Sequence, residues 1–498
     1  MKMYEIFFMN IKKSSILFIV IPLVLAAFTH LWNPVGFPDV FYDEGVYMYR
    51  AMHVLSGGGL QVDYFHDHPF FGQLFLAGAL SLTGYPNSLH PTTDANSVQM
   101  LYLVPRVLMG ILAIFDTLLI YKISERRYSK NIALLASVLF AVMPITWLTR
   151  RILLDSILLP FLLTSILFAV YAKDSQNKKL LVILSGVFLG ITLFTKETMV
   201  TMIPLVAILV YQNTKNRKML GLWLIPVILI PMIWPLQSIQ DNQFRLWISD
   251  ILFQAHKQNN NFVNTLENFF FFDPVLLILG LAGILYAILK KDSVILLWFV
   301  PFLVFLVSVG YIQYFYWIPA LPVLCIAAAK FIMDLSTKAK ENVRRTIPYV
   351  IISCIGIFGL TMSFFLVTSN VSGQYDAAAY VLQNVHNSNV PNDENNITIV
   401  SSPIYSWIFQ YVYHMTDVLP DYRTLLFYPA PTNHVLLISD LHFKSNLNSG
   451  KQLSDLYNNT ITVKKFRGGV LDEDLGQYPF TSMTANYEGS EIEIRETK

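Results

Sequence analysis

The run IPYVIISCIGIFGLTMSFFLV, residues 347–367, is 21 residues long and contains no charged side chain. A helix needs about 20 consecutive apolar residues to cross the hydrocarbon core of a bilayer. Similar runs recur along this chain of 498 residues, of which 54% are hydrophobic and 14% charged, with a mean hydropathy of +0.49. Soluble domains carry about 25% charged residues. The sequence therefore predicts a polytopic α-helical membrane protein.

Eleven apolar segments are expected to cross the membrane. The first follows Lys12 and Lys13 and has no small-residue cleavage site, which indicates an uncleaved helix with its N-terminus inside. The predicted spans are residues 14–31, 98–121, 132–148, 152–172, 180–195, 198–212, 219–235, 274–289, 293–309, 311–333 and 347–367.

The distribution of lysine and arginine supports that count. Loops placed inside by it, such as 122–131 and 173–179, carry most of the cations, as the positive-inside rule requires. Counting the apolar stretch 70–84 as a further span would invert every later loop. We therefore expect an interfacial or re-entrant helix there, with a true span as the alternative. Both cysteines, Cys325 and Cys354, lie in apolar segments, so no disulfide framework is predicted.

Two regions follow from this pattern. Residues 1–367 form a transmembrane domain whose first external loop is 33–97, and residues 371–498 contain no spanning run. The odd span count places the second region outside, in a protein of the cell membrane with a cytoplasmic N-terminus and an extracellular C-terminal domain. Short alternating segments predict a small α/β domain there. Its predicted strands are Ile397–Ser401, Val435–Ser439 and Thr460–Phe466, and its helices Tyr375–Val385 and Ile404–Tyr413.

Ionisable residues from at least five segments fall at the outer membrane level. Asp43 and Glu44 stand in the first polar stretch after the first span. Charges within or beside a span are costly and usually mark a functional site. The other members of this set are His66, Asp67, His68, Arg106, Arg150, Arg151, Asp155, Lys196 and Glu197.

This mixture of groups favours glycosyl transfer from a lipid carrier. A carboxylate can act as general base toward an acceptor hydroxyl. Arginine and lysine can stabilise phosphate oxygens while a leaving group departs. A sugar linked to a lipid phosphate presents its phosphate at this depth of the membrane. We expect Arg106, Arg150 and Lys196 to bind the donor phosphate, with Asp155 orienting an arginine.

Four motifs carry a family resemblance over roughly residues 35–200. Asp43-Glu44 resembles the Asp-Glu pair in the first external loop of protein O-mannosyltransferases and related GT-C glycosyltransferases, including the aminoarabinose transferase-like family. Phe65-His66-Asp67-His68-Pro69-Phe70-Phe71-Gly72 is similar to their His-Pro-Pro-Phe-Gly stretch, with Phe70 replacing the second proline. Arg150-Arg151-Ile152-Leu153-Leu154-Asp155-Ser156 resembles their Arg-x-Ile-Leu-Leu-Asp-Ser element, and Thr195-Lys196 their Thr-Lys.

The resemblance implies inverting transfer of mannose or another hexose from a polyprenyl-phosphate or dolichyl-phosphate donor to a protein, lipid or glycan acceptor. It assigns the base or acceptor-binding role to Asp43 with Glu44 as its partner, and a donor-site role to Arg150. His66, His68, Arg151, Asp155 and Glu197 are supporting residues. The loop 236–273 has no room for the β-trefoil domain of protein O-mannosyltransferases, and the Trp-Trp-Asp signature of oligosaccharyltransferases is absent.

Structural alternatives exist for each group. Asp43 and Glu44 would cap a helix that begins at Gly45. His66, Asp67 and His68 would bind a divalent metal, although their spacing is unspecific and no cofactor is predicted with certainty. Arg106 would only anchor a carboxylate, and Arg151 would extend toward the headgroups. The aromatic run Tyr311, Tyr314, Phe315, Tyr316 and Trp317 is expected to form an interfacial belt, with lining of the site as the alternative.

Two other functional classes use similar residues. A transporter or lipid-linked sugar flippase also needs charges in the membrane, but transporters place them near the midplane and contain internal repeats. A scaffold whose C-terminal domain binds a partner is the third possibility. The expected partners are a polyprenyl-phosphate sugar, the acceptor and membrane lipids, without nucleic acid.

Overall fold

The computed structural model describes residues 13–60, 66–257, 262–336, 346–368, 372–387, 397–431, 433–467 and 491–497. Phe65 of the second motif lies outside these ranges, as do residues 371, 388–396, 432, 468–490 and 498 of the predicted C-terminal domain. The chain is an integral membrane protein in which long apolar helices precede a small C-terminal sheet.

The membrane part is built from helices that overlap all eleven predicted spans. Their bounds are Lys13–Leu31, Leu103–Arg127, Lys130–Val142, Leu154–Tyr171, Lys178–Thr195, Ile203–Thr214, Arg217–Leu229, Ile233–Gln240, Pro274–Lys290, Ser293–Ser308, Leu321–Ser336 and Ile347–Val367. Turns of 3₁₀ helix, Pro144–Arg150, Glu197–Met202 and Tyr314–Ala320, precede three of them in the chain.

Six helices of the described residues are long and apolar enough to cross a membrane, or eight if each of two bent pairs forms one span. The two pairs, 130–150 and 262–290, bend by 69° and 115°. The part Leu17–Leu31 of the first helix and the helix Ser293–Ser308 are apolar but shorter than a full span. The number of eleven crossings therefore stays a prediction.

The loop after the first helix folds into helices of its own. Tyr42–Leu55, called here the loop helix, is followed by Phe71–Leu82 and Ala95–Met100. Phe71–Leu82 covers most of the stretch 70–84, and its 12 residues extend about 18 Å, which is too short for a core about 30 Å thick. Two further helices, Phe244–His256 and Phe262–Phe272, lie between the later spans.

The C-terminal unit, residues 372–497, contains a four-stranded sheet in the order β1-β2-β4-β3. Strands β1 (Ile397–Val400) and β2 (His434–Ser439) are parallel, and β4 (Glu491–Thr497) pairs antiparallel with β2 and with β3 (Thr460–Arg467). Helices Gly373–Asn387, Pro403–Trp407, Leu441–Ser445 and Lys451–Asn459 and the π-helical turn Ile408–Val412 surround the sheet. The three strands expected from the sequence are confirmed, and β4 was missed.

The C-terminal unit packs directly on the loop helix. Gly45 permits the contact, because a Cβ atom there would lie 2.4 Å from the backbone nitrogen of Ile404. Tyr49 donates a hydrogen bond of 2.8 Å to Gln410 from the same helix face. One hydrophobic cluster includes Met48 and Met52 of the loop helix together with residues of the C-terminal unit. The loop helix and the C-terminal unit therefore lie on the same side of the protein and form one continuous surface.

Candidate functional site

Glu44 is the centre of a buried ion-pair network. Its side chain is 0% exposed and accepts hydrogen bonds from the backbone N–H groups of Phe41 (2.9 Å) and Ile152 (3.0 Å). Arg151 and Arg106 donate to the same carboxylate at 2.9 and 3.1 Å. Burial opposes ionisation, but the two arginines and the backbone donors outweigh it and lower the pKa of Glu44. This carboxylate is charged and its lone pairs are occupied.

The same network joins two motifs of the sequence. Arg151 also donates to the Asp39 carboxylate at 2.8 Å and is itself 0% exposed. Arg106 donates to the Asp39 carbonyl at 2.8 Å and to the carbonyl of Pro38. Arg151 therefore lies inside the protein and does not extend toward the headgroups. The loop that carries Asp43 is held by arginines from two other segments.

Arg150 also binds backbone atoms of the protein. Its guanidinium donates to the carbonyls of Thr29, Trp32 and Asn33 at 3.1, 2.6 and 2.9 Å. Only 1% of Arg150 is exposed. These carbonyls belong to the end of the first helix and the residues that follow it. Arg150 thus fixes the point where the first helix ends and the loop begins.

Asp43 has a different environment from its neighbour Glu44. The loop helix begins at Tyr42, so both carboxylates lie in its first turn. The alternative of a helix beginning at Gly45 is wrong, although Glu44 does accept the Phe41 N–H in the manner of a cap. Within the described residues Asp43 accepts no hydrogen bond and forms no salt bridge, and it lines a cavity of about 510 Å³.

Burial raises the pKa of Asp43, whereas Arg423, Lys196 and His68 oppose that rise. A half-buried carboxylate with unoccupied lone pairs and a raised pKa, facing a cavity, has the properties of a general base. Two consecutive residues therefore differ chemically, because one side chain turns into the arginine network and the other turns toward the cavity.

Lys196 and Asp155 form a buried pair close to Asp43. The Lys196 ammonium lies 2.7 Å from the Asp155 carboxylate and 3.8 Å from the centre of the Tyr316 ring. Both charged residues are 1% exposed. The expectation that Asp155 orients an arginine is wrong, because its carboxylate binds this lysine.

The side chains of His66, Asp67 and His68 each contact a different partner. Asp67 binds Arg50 at 2.7 Å, and Arg50 outweighs burial to lower the pKa of Asp67 to about 2. Nδ1 of His68 lies 3.2 Å from the Glu197 carboxylate, which outweighs burial and raises the pKa of His68. His66 contacts Asp250 instead.

The histidine stretch therefore connects its loop to the loop helix, to the turn Glu197–Met202 and to the helix Phe244–His256. In the ranges that the structure describes, no three His, Cys, Asp or Glu side chains are grouped as metal ligands.

The aromatic run lies inside the site and not in an interfacial belt. Phe315 and Trp317 are only 2% and 3% exposed, and Tyr311 and Tyr314 line the cavity. Tyr316 lies beneath the Lys196 ammonium. The alternative reading of this run, as part of the site, is the one that the structure supports.

Several residues of the site were missed by the sequence analysis. The cavity wall opposite the loop helix is formed by the C-terminal unit and the helix Phe262–Phe272, whose polar side chains carried no motif. Lys257 belongs to none of the four motifs; its ammonium lies 5.1 Å from the Tyr311 ring centre, and it forms no salt bridge with any described residue. Apart from Tyr311 and Tyr314, the polar lining residues after residue 260 are Asn264, Thr265, Asn268, Gln313, Tyr422, Arg423, His442, Ser445 and Asn446.

Comparison with known proteins confirms the expected resemblance to GT-C glycosyltransferases. Residues 60–254 match the family model of dolichyl-phosphate-mannose-protein mannosyltransferases. That segment contains the histidine-proline stretch, the Arg150 element and Thr195-Lys196, whereas Asp43-Glu44 precedes it. Among curated proteins, none matches the sequence at a significant level.

Solved structures share the fold over nearly the whole chain. ArnT from Cupriavidus metallidurans, bound to undecaprenyl phosphate, superposes with a TM-score of 0.59 at 12% identity, covering 96% of this chain and 97% of that one. The archaeal oligosaccharyltransferase AglB from Archaeoglobus fulgidus, in complex with an inhibitory peptide and a dolichol-phosphate, gives 0.54 at 11% identity, covering 85% and 69%. At these identities the likeness concerns the fold.

Proposed function

We propose that this integral membrane protein, with its GT-C glycosyltransferase fold, transfers a hexose from a polyprenyl-phosphate carrier to an acceptor hydroxyl. The observation that carries the proposal is the Asp43 carboxylate, which faces a cavity of about 510 Å³ without a hydrogen-bond partner among the described residues. The matched family model favours mannose as the sugar, and the lipids bound to ArnT and AglB favour a polyprenyl-phosphate carrier.

The proposed reaction is a single displacement. The acceptor hydroxyl donates its proton to Asp43 while its oxygen bonds to the anomeric carbon of the sugar. The bond from that carbon to the phosphate oxygen breaks, and its electron pair leaves with the polyprenyl phosphate. Attack opposite the leaving group inverts the anomeric configuration. A positioned general base contributes about 10²–10⁴-fold to such a step.

Two lysines are proposed to balance the charge that develops on the leaving phosphate. Lys196 is held by Asp155 and Tyr316, so its ammonium has a fixed position. Lys257 has no carboxylate partner in the described part of the chain, and burial lowers its pKa. Preorganised cations in a site that excludes water are effective because they need no reorientation during the reaction.

Arg106 and Arg150 receive a different role in this proposal. Both were expected to bind the donor phosphate, but their guanidinium groups donate to backbone carbonyls and, for Arg106, to Glu44. We propose that they position the loop that presents Asp43. Glu44 belongs to the same positioning network, together with Arg151.

The orientation proposed from the loop charges places this site outside the cytoplasm. The loop helix and the C-terminal unit share one cavity, so a single side of the membrane suits both. We propose a cytoplasmic N-terminus, an extracellular C-terminal unit, and a protein, lipid or glycan as acceptor.

A donor panel tests the function. The purified protein in sealed lipid vesicles receives polyprenyl phosphates that carry mannose, glucose, galactose or no sugar. Mass spectrometry measures free polyprenyl phosphate and sugar-bearing products, and accessibility of the donor to an external reagent reports its movement across the bilayer. We expect release of polyprenyl phosphate from the mannosyl donor. Movement of the intact lipid-linked sugar across the bilayer, without cleavage of any donor, would contradict transfer and indicate a flippase.

A further inference from the structure

The C-terminal unit contacts the residue that precedes Asp43. The Tyr42 hydroxyl donates a hydrogen bond to the Asp421 carboxylate. Two groups of the same unit contact the ring of Tyr42: the Arg423 guanidinium lies 4.4 Å from the ring centre, and the His442 ring centre lies 5.1 Å from it. A cation over an aromatic face is attracted by the quadrupole of the ring. Tyr42 is therefore clamped from outside the membrane domain.

Arg423 is oriented by the same group of residues. Its Nε donates to Asp421 at 2.8 Å, and Asp421 is also the acceptor for Tyr42. The two terminal nitrogens of Arg423 form no hydrogen bond with any described residue, and the side chain is 48% exposed. Arg423 and Asp43 line the same cavity. A guanidinium fixed at one end thus leaves its charge beside the Asp43 carboxylate.

We propose that Arg423 is a positioning residue of the active site, which clamps Tyr42 and holds the adjacent Asp43 carboxylate ionised toward the cavity. This inference rests on the proposed function, in which Asp43 is the base. It makes the C-terminal unit a part of the catalytic apparatus, and it predicts that without this unit a smaller fraction of Asp43 is ionised at a given pH.

The electrostatics of the cavity support the assignment. Burial raises the pKa of Asp43, and among the surrounding cations Arg423 opposes that rise most strongly. The charged and titratable groups that act on Asp43 come from several elements around it. These groups are Arg423, Lys196, Lys257, Arg50, His68, Asp67, Tyr47 and Tyr316. Among these groups Arg423 belongs to the C-terminal unit, and Tyr422 and His442 of the same unit also line the cavity.

The test is the pH dependence of donor cleavage by the full-length protein. A base must be ionised, so activity rises as the pH rises through its pKa and falls in acid. Replacing Arg423 by glutamine removes a positive charge that stabilises the Asp43 carboxylate. The acidic side of the pH–activity profile, called here the acid limb, should therefore move to higher pH by about one unit. On that limb the activity of R423Q falls about tenfold below that of the parent, because one pKa unit corresponds to a tenfold change in the ionised fraction.

Two variants separate the role of charge from that of structure. Arg423→Lys keeps a positive charge near the Tyr42 ring, so the acid limb should stay near that of the parent. Lys465→Gln removes another cation of the same unit, which pairs with Glu491 away from the cavity, and should leave the limb unchanged. Thermal unfolding of each variant in detergent identifies those that do not fold. If R423Q is one of them, Arg423→Met replaces it.

The outcomes are distinct. The inference is supported if the acid limb moves to higher pH in R423Q and stays at the parental pH in R423K. An unmoved limb in a well-folded R423Q, or an equal displacement in R423K, overturns it while the donor chemistry stands. A parent protein that cleaves no donor at any pH overturns the proposed function itself.

Discussion

Asp43 and Glu44 are chemically identical groups on consecutive residues, and their surroundings give them opposite properties. Arginines and backbone donors lower the pKa of Glu44, whereas burial raises the pKa of Asp43. Along a helix, adjacent side chains point about 100° apart, so one can enter the packed interior while the other faces a cavity. The sequence pair therefore combines a structural carboxylate with a reactive one.

Replacing Glu44 by glutamine should destabilise the fold. Removing one partner from a buried ion pair costs about 3–5 kcal/mol, because the arginines lose their counter-charge. Since the pKa of Glu44 is lowered, its stabilisation is complete above the ordinary carboxyl pKa of 4.5 and is lost as the pH falls through the lowered value. Thermal unfolding in detergent measures the effect, with Asp43→Asn as the control that should melt like the parent. Equal melting of E44Q and the parent would contradict the network.

At the residue scale, the motifs predicted the polar set but not the role of each member. The sequence could place Asp43, Lys196 and Asp155 at the same level of the membrane, because each lies near the predicted outer end of a span or in the loop that follows it. The partners of Arg106 and Arg150 could not be predicted, because every residue has a backbone carbonyl and no residue type identifies the ones that accept these hydrogen bonds. Arg423 lies more than 370 residues after Asp43 in the chain, in a unit without a recognisable motif, so only the folded structure brings the two together.

At the element scale, the loop helix is held from two sides. The arginines bind its N-terminal turn from the membrane domain, and helix Pro403–Trp407 packs against its outer face. The sequence predicted neither contact, because each depends on long-range packing. It did predict the short helix near 70–84, whose limited length follows from the apolar run.

Replacing Arg150 by lysine should lower both stability and activity. A lysine ammonium cannot reproduce the planar fork that donates to the carbonyls of Thr29, Trp32 and Asn33. Each buried acceptor left without a donor costs about 1–3 kcal/mol. Melting temperature and donor cleavage are measured on the same preparation. Lost activity at the parental melting temperature would instead support direct binding of the donor phosphate by Arg150.

Replacing Gly45 by alanine should displace the C-terminal unit. The new methyl group would lie 2.4 Å from the backbone nitrogen of Ile404 and 2.5 Å from the carbonyl carbon of Pro403, and backbone atoms cannot move aside alone. We expect faster limited proteolysis of the C-terminal unit and reduced donor cleavage. Gly78→Ala is the matched control, because a Cβ there meets no atom within 4 Å. Parental protease resistance of G45A would argue against the docking described here.

At the scale of the whole molecule, composition and periodicity predicted the membrane class and the C-terminal α/β unit. Three of four strands could be read from short β-branched segments. The fourth, Glu491–Thr497, alternates charged and apolar residues at the chain end and gave a weaker signal. The bends of 69° and 115° were not predictable, because hydropathy reports the length of an apolar run and not its direction.

Cysteine labelling tests the orientation of the molecule. In a Cys354→Ser background, which keeps only the buried Cys325, single cysteines are placed at the exposed positions Asn448 and Gln176. The positive-inside rule predicts that a membrane-impermeant maleimide modifies Asn448→Cys in intact cells and Gln176→Cys only after lysis. The reverse pattern would invert the topology and place the site on the cytoplasmic side.

The most direct test of the central claim is cleavage of mannosyl polyprenyl phosphate by Asp43→Asn, compared with the parent in one lipid preparation. Asparagine keeps the size of the side chain but cannot accept the acceptor's proton. The rate of polyprenyl phosphate release should therefore fall by about 10²–10⁴-fold at an unchanged melting temperature. Near-parental release by a well-folded D43N would contradict the assignment of Asp43 as the base.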